Sequence, residues 1–317
     1  MRSARWLAGA WLCLRAACAI AAPIAVGFVA PDEEPRYTTL LAGFRKGLQA
    51  AGGEAGQAVV LEHRIRRGDA SGAGRAALAL EAAGARVAFV VGTELTRAVR
   101  TAAADLPIVF VTPGDPVGAG VAASLARPGN NLTGLTFEYP TLSAKRIALF
   151  KELVPSARAI GVVYDARDAS PQQGYAAAVE AARRLELKLV PIDARDLAAG
   201  AVAPVGGLDG LLLIPGGAIA VAIAPAVRLA AARRIALVGW TRSEATRDAT
   251  LTYGAAETEV AGNAARLVAR ILAGASAGSL AIEQPTKFEL VINVRAAREH
   301  GLAIPDALLV RADEVIR

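Results

Sequence analysis

The stretch Ile108 to Thr136 constrains the fold more than any other. Its first five residues, IVFVT, have the length and branching of a buried strand, and they stop at Pro113-Gly114-Asp115-Pro116. Two prolines there remove backbone donors and a glycine admits φ values closed to other residues, so the chain turns instead of extending. Such a turn, followed by further strand and helix units, sits at the carboxyl edge of a sheet, where open α/β sheets bind ligands. A short Ala-rich segment, a Gly129-Asn130-Asn131 turn and a second apolar strand, Leu132 to Phe137, come next. That strand reads as the exit from one domain into another.

The flanking sequence repeats the unit. Ile24 to Val29, Val59 to Ile65 and Val87 to Val91 read as strands. Tyr37 to Ala51, with Leu40, Leu41, Phe44 and Leu48 at helical spacing, reads as a helix, as do Ser71 to Ala83 and Leu95 to Ala104. Alternation with short connections predicts a parallel sheet covered by helices.

The second half follows the same scheme. A helix near Thr141 to Leu153 precedes strands at Ala159 to Tyr164, Leu187 to Ile192, Gly210 to Ile214 and Ile235 to Trp240. A helix capped by Ser170, with Pro171 in its first turn, runs to Leu185, and Leu251 to Tyr253 is a last short strand before Gly254. The long helix Glu257 to Leu272 passes back to the first half, and Gly274 to Ser279 is a small-residue linker. Phe288 to Ile292 then reads as a strand, and Val294 to Glu299 as a helix stopped by Gly301. At 317 residues, 54% of them hydrophobic, the chain exceeds the roughly 250 to 300 residues that one core holds, so two lobes are expected.

Two motifs carry a resemblance. GDPVGAGVAASLARPGNNLTGLT, from Gly114, resembles the GDPV and SLARPGGNxTG signature of a bacterial family of ABC-transporter substrate-binding proteins, the tryptophan/tyrosine-type group. Gln284 to Asn293 (QPTKFELVIN) and Leu308 to Ile316 (LLVRADEVI) are similar to that family's closing motif. The resemblance implies a two-lobed α/β fold of the first periplasmic-binding-protein type, each lobe a parallel sheet flanked by helices, with a ligand cleft between the lobes. The division expected is a leader over 1–21, a first lobe of 22–137 with 254–278, and a second of 138–253 with 279–317, the placing of the closing segment in the second lobe being what the resemblance implies. The implied partners are a small-molecule ligand and an ABC permease in the inner membrane with a separate ATPase subunit. The resemblance further implies that the loops at Gly92-Thr93, Gly114-Asp115-Pro116 and Tyr164 to Ser170 line the cleft between lobes. Pro215-Gly216-Gly217 stands where amino-acid-binding members place an Asp or Asn, which removes one partner for an α-ammonium group. A ligand other than a standard α-amino acid is therefore expected.

The residues exclude several other classes. There is no phosphate loop, no nucleophile elbow and no paired histidine or cysteine to build a nucleophile and its base, so no enzyme is expected and no cofactor is called for. Gly118 to Ala123 matches a loose dinucleotide pattern with Glu138 near the ribose distance, but it follows a proline turn and does not open the first strand-helix unit. Net charge is +6, and arginine is scattered without the basic stripe that nucleic acid requires. His63 and His300 lie far apart and read as surface residues, which leaves zinc little to bind.

Polar and aromatic residues at predicted strand ends remain, the mixture a buried ligand needs. They are Thr93, Glu94, Thr112, Asp115, Tyr139, Tyr164, Asp165, Ser170, Trp240, Thr241 and Tyr253. Each also has a plain structural reading: Asp115 as a turn brace, Ser170 as a helix cap, Trp240 as core, and Asp165 with Asp168 as a solvated loop. Helix N-termini after Gly92, Asp115 and Ser170 suit a carboxylate.

Residues 1–22 read as a secretory signal: Arg2 and Arg5, an apolar run from Trp6 to Leu14, then small residues at Ala17, Ala19 and Ala21. The run is too short for a stable membrane anchor. Arg15 stands three residues before Cys18, so lipid attachment there is not expected, and cleavage after Ala19 or Ala21 would remove both cysteines. Without Arg2, Arg5 and Arg15 the net charge falls from +6 to +3. The location expected is the periplasm, and the function capture of a small aromatic or carboxylate-bearing solute for an ABC-type uptake system, or alternatively ligand sensing for a membrane receptor.

Overall fold

The computed structural model describes residues 23–317 apart from 33–34, 67–68, 137–138, 202–205, 217 and 247. The leader, Phe137 and Glu138 lie outside the described residues. The first sheet holds five parallel strands: β1 (Ala25–Pro31), β2 (Val59–Ile65), β3 (Ala85–Val91), β4 (Ile108–Thr112) and β5 (Leu132–Thr136), in the order β2-β1-β3-β4-β5. The second holds seven: β6 (Ala159–Tyr164), β7 (Lys188–Asp193), β8 (Gly210–Leu213), β9 (Ala236–Gly239), β10 (Leu251–Ala255), β11 (Phe288–Asn293) and β12 (Glu314–Ile316). Its order, β7-β6-β8-β9-β10-β11-β12, opens with the same arrangement as the first sheet. β11 runs antiparallel to β10, with Ala255 opposite Phe288, so a wholly parallel second sheet is corrected. The chain leaves at the end of β10 and returns at that same edge, so the next strand must run backwards.

Helices α1 (Pro35–Ala51), α2 (Gly53–Gly56), α3 (Ala70–Ala82) and α4 (Thr93–Ala102) cover the first sheet, and α5 (Tyr139–Leu153), α6 (Ala169–Arg184), α7 (Ala194–Ala198), α8 (Ile219–Arg233) and α9 (Arg242–Thr246) belong to the second. After β10 come α10 (Glu257–Leu272), α11 (Val294–Glu299) and α12 (Asp306–Arg311). Strand side chains alternate between faces, so each sheet splits its buried residues into two cores. Val26, Phe28, Phe89 and Val109 meet α1 and α10, whereas Val29, Val90, Ile108 and Phe110 meet α3 and α4. In the second sheet Leu211, Leu213 and Leu237 meet α7 and α8, and Ile160, Val162 and Leu212 meet α5 and α6.

α10 follows the second sheet in sequence but packs on the first. Gly43 and Gly47 of α1 let it come close: a Cβ built on them would stand 2.8 Å from the Ala261 Cβ and 2.7 Å from the Ala265 Cβ. The following segment stays with that sheet, since Leu280 and Ile282 are buried in its two cores and Leu135 bridges Glu283. Residues 279–283 therefore pack with the first lobe, which moves the expected boundary at 278 a few residues on; the apolar Leu280 and Ile282 close the open edge beside β5. The chain thus passes between the sheets three times, at 136–139, 255–257 and 283–288. Glu259 of α10 pins the third passage, accepting from the Thr286 N–H at 3.1 Å, the Thr286 hydroxyl at 2.8 Å and the Lys287 N–H at 2.8 Å. Burial raises its pKa, and these donors more than reverse that, leaving it below the ordinary glutamate value.

His300 is buried at the end of α11, not on the surface, because the Gly301 stop turns the chain back there (φ 71°). Gly118 to Ala123 forms turns between β4 and β5 and opens no helix, so the dinucleotide pattern lacks its structural context.

Candidate ligand cleft

The carboxyl ends of both sheets converge on one cavity. From the first lobe it is walled by Pro31 of β1, Ile65 of β2, Val91 to Leu95 at the junction of β3 and α4, Val111 and Pro113 at the end of β4, and Tyr37 and Leu40 of α1. The second lobe supplies Asp168, Pro215, Gly216, Ile219 and Thr241; Ala255, Glu257 and Val260 come from the second passage. A cavity of about 140 Å³ results. The walls are mainly aliphatic and proline side chains, with Tyr37 the aromatic among them. The charged lining residues are all acidic: Glu94, Asp168 and Glu257.

Local sequence explains how each is held. Gly92 is the N-cap of α4 at φ 103°, a conformation that favours glycine, and it supplies no side-chain cap. The first N–H groups of α4 therefore point out beside Thr93 and Glu94, with the positive end of the helix dipole. Glu94 is exposed in the cleft, and among the described residues it makes no hydrogen bond or ion pair. Asp168 caps α6 by accepting from the Ser170 N–H at 3.0 Å, so the cap is Asp168 and not Ser170. Glu257 opens α10 and accepts from the Ser243 hydroxyl of α9 at 3.2 Å, a contact between lobes.

Of the eleven sequence candidates, Thr93, Glu94 and Thr241 are in the cavity lining. Thr93 lines the cavity, and its hydroxyl is bonded to that of buried Thr112 directly behind it. Ser170 stands next to the lining, its hydroxyl donating to the Pro113 carbonyl at 3.0 Å. Asp115 accepts from the Val117 N–H at 2.8 Å and braces its own turn, outside the lining. Tyr139 opens α5, and its side chain lies outside the described residues. Tyr164 stacks on Tyr175 of α6 at 4.7 Å, away from the cavity; burial, and then the Asp193 carboxylate, raise its pKa. Trp240 is fully buried in the second lobe's core, and Tyr253 stacks on Phe288 at 6.1 Å. Strand ends have two faces, and these three rings turn toward the helices or the neighbouring strand.

Asp165 is also a correction. It is 2% exposed, paired with Arg195 at 2.5 Å and accepting from the Ala218 N–H at 2.9 Å, which fastens the loop before α8 to the end of β6. Burial raises its pKa, but the Arg167 and Ala218 N–H groups and the Arg195 guanidinium outweigh that and hold it below the ordinary aspartate value. A depressed carboxylate stabilises the fold above its unfolded pKa and loses that contribution as pH falls through the folded one. Asp165→Asn is expected to cost about 1–3 kcal/mol in urea unfolding at neutral pH, with the gap to the unsubstituted chain closing below the ordinary aspartate pKa.

Sequence reasoning missed Tyr37, Leu40, Ile65 and Glu257, whereas Pro215 and Gly216, singled out from the resemblance, do line the cavity. Glu257 left a signal, as an acid in the first turn of a helix that begins at a lobe crossing; the others read as core or loop. Among the described residues no three His, Cys, Asp or Glu side chains gather as a metal site.

The model of a protein family described as ABC transporter substrate binding protein matches residues 25–316, nearly the whole chain. The chain belongs to that family. Its two lobes have the periplasmic-binding-protein fold. A tyrosine-binding protein of Clostridioides difficile (strain R20291) is 23% identical over 288 residues, covering 89% of this chain and 83% of that protein. The crystal structure of a conserved domain protein from Vibrio cholerae is 27% identical with a TM-score of 0.83, covering 93% of this chain and 100% of that one. A Streptococcus pneumonia ABC domain in complex with L-Trp also superposes at a TM-score of 0.83, with 19% identity over 93% of this chain and 100% of that one.

Proposed function

We propose that the protein captures a small amine-bearing solute, an aromatic amino acid in the first instance, and delivers it to an inner-membrane ABC permease. The observation that carries this is the cavity's charge pattern: apolar walls, acidic Glu94, Asp168 and Glu257, and no cationic side chain among the described lining residues. An ammonium group finds its counter-charge there, and the uncapped N-terminus of α4 offers backbone donors to a carboxylate. The missing acid at 215–217 does not leave the cavity without acceptors, because other elements supply them. Amino-acid binding, set aside on that loop alone, is restored by these carboxylates, and the tyrosine and tryptophan in the names of the relatives add support. A sugar would need far more hydrogen-bonding groups than this lining has.

The mechanism follows from two lobes that both touch the solute. A ligand that meets more protein in the closed arrangement shifts the population toward it. The closed form docks on the permease, and a separate ATPase subunit supplies the energy. No chemistry is done on the solute, and the site of action is the periplasm. Isothermal titration with L-tyrosine and L-tryptophan tests the reading, and binding of either is expected. Glu94→Gln is expected to weaken it about tenfold or more, the worth of one charge-assisted hydrogen bond. Absence of binding by any amine tried, or unchanged affinity in Glu94→Gln, would count against it.

A further inference from the structure

The turn after β4 and the start of α6 belong to different lobes, and they touch outside the three chain passages. Ser170 donates its hydroxyl to the Pro113 carbonyl at 3.0 Å. Gly114 lies against the same residue at φ 79°: a Cβ built there would sit 2.8 Å from the Ser170 Cβ and collide with its hydroxyl oxygen. The turn is itself rigidly held, since the Thr136 hydroxyl donates to the Gly114 carbonyl from β5. Neither Gly114 nor Ser170 lines the cavity, yet Pro113 and Asp168 beside them do.

We propose that Gly114 and Ser170 form an interlobe latch, a pair of positioning residues that sets solute affinity from outside the solute's own contacts. The latch needs a bare backbone on one side and a short hydroxyl on the other, and a side chain at 114 keeps the lobes apart. Apparent affinity scales with the fraction of molecules able to close, so weakening the latch weakens binding without removing a contact to the solute. The effect on affinity rests on the solute-binding reading above; the effect on lobe separation does not.

Gly120 supplies the control. It has φ 67°, close to that of Gly114, but a Cβ there meets nothing within 4 Å. Gly120→Ala thus carries the same backbone strain without the collision. Spin labels at Thr101→Cys on α4 and Gln173→Cys on α6, with Cys13→Ser and Cys18→Ser, report lobe separation in the full chain, with and without L-tyrosine. The expected result is a closed-distance population in the unsubstituted chain and in Gly120→Ala that is lost in Gly114→Ala and reduced about fivefold relative to the open one in Ser170→Ala, the worth of one hydrogen bond. Distance distributions that are the same in Gly114→Ala and the unsubstituted chain overturn the latch. In titrations Gly114→Ala is expected to weaken L-tyrosine binding at least tenfold. If neither L-tyrosine nor L-tryptophan binds the unsubstituted chain, the proposed solute falls, while the label distances still decide the latch.

Discussion

Phe89→Ala is expected to remove about 3–5 kcal/mol of stability, the range for truncating a fully buried phenylalanine. Phe89 is wholly buried in the middle strand of the first sheet, with its ring centroid 4.8 Å from Phe44 of α1 and 5.5 Å from Phe28 of β1. It therefore joins three elements at one point. The neighbours on that face, Val26, Val87, Val109, Ala264 and Val268, are branched or small and held in regular elements, which limits collapse into the void. β3 ends at Val91 and Gly92, so loosening it also frees the uncapped start of α4 that borders the cavity. Urea unfolding followed by circular dichroism measures the loss, and a change under about 1 kcal/mol would show that α1 repacks more easily than this geometry allows.

Gly254→Ala is expected to be nearly as damaging, although it adds a single methyl. Gly254 lies inside β10 with no positive φ, so backbone strain is not the issue. Space is: a Cβ there would overlap the Trp240 carbonyl oxygen, stand 3.1 Å from its carbon and press on the Arg146 guanidinium at 3.4 Å. A backbone carbonyl cannot swing away as a side-chain end can. Arg146 is fully buried and holds the Tyr253 carbonyl at 2.7 Å, so it has little room to give. Overpacking of this kind costs about 1–3 kcal/mol or more. The strand must shift, and it carries Ala255 and Glu257 into the cleft. Thermal unfolding and L-tyrosine titration should both respond; a variant with unchanged stability and affinity would mean the strand can slide.

Much of the fold was legible because strand signals here are strong. Val59 to Ile65, Ile108 to Thr112 and Ala159 to Tyr164 are bounded by turn residues, and the observed strands have those same limits. Helix starts shifted by one to two residues, since capping is decided by geometry: Asp168 reaches the Ser170 N–H, and Ser170 itself turns to the opposite lobe. The Ala-rich segment after Pro116 forms successive turns with no regular element. The short terminal strand β12 passed unread as a strand, because three residues carry no period. Site residues were harder. The ends of strands were found, but which of two faces each side chain takes depends on register. Tyr164, Asp165 and Tyr253 therefore face away from the cavity, whereas Ile65 and Val111, which look like plain core, line it.

The close seating of α10 on α1 has a consequence for the order of events during synthesis. Gly43 and Ala261 touch across more than two hundred residues of intervening chain. Until the last fifth of the polypeptide has been made, Leu41, Phe44 and Leu48 have no cover on that side, and the amino-terminal half stays open to water. Loop closure over so long a span is slow. A nascent chain of this kind lacks the α1–α10 contact until α10 itself has been made.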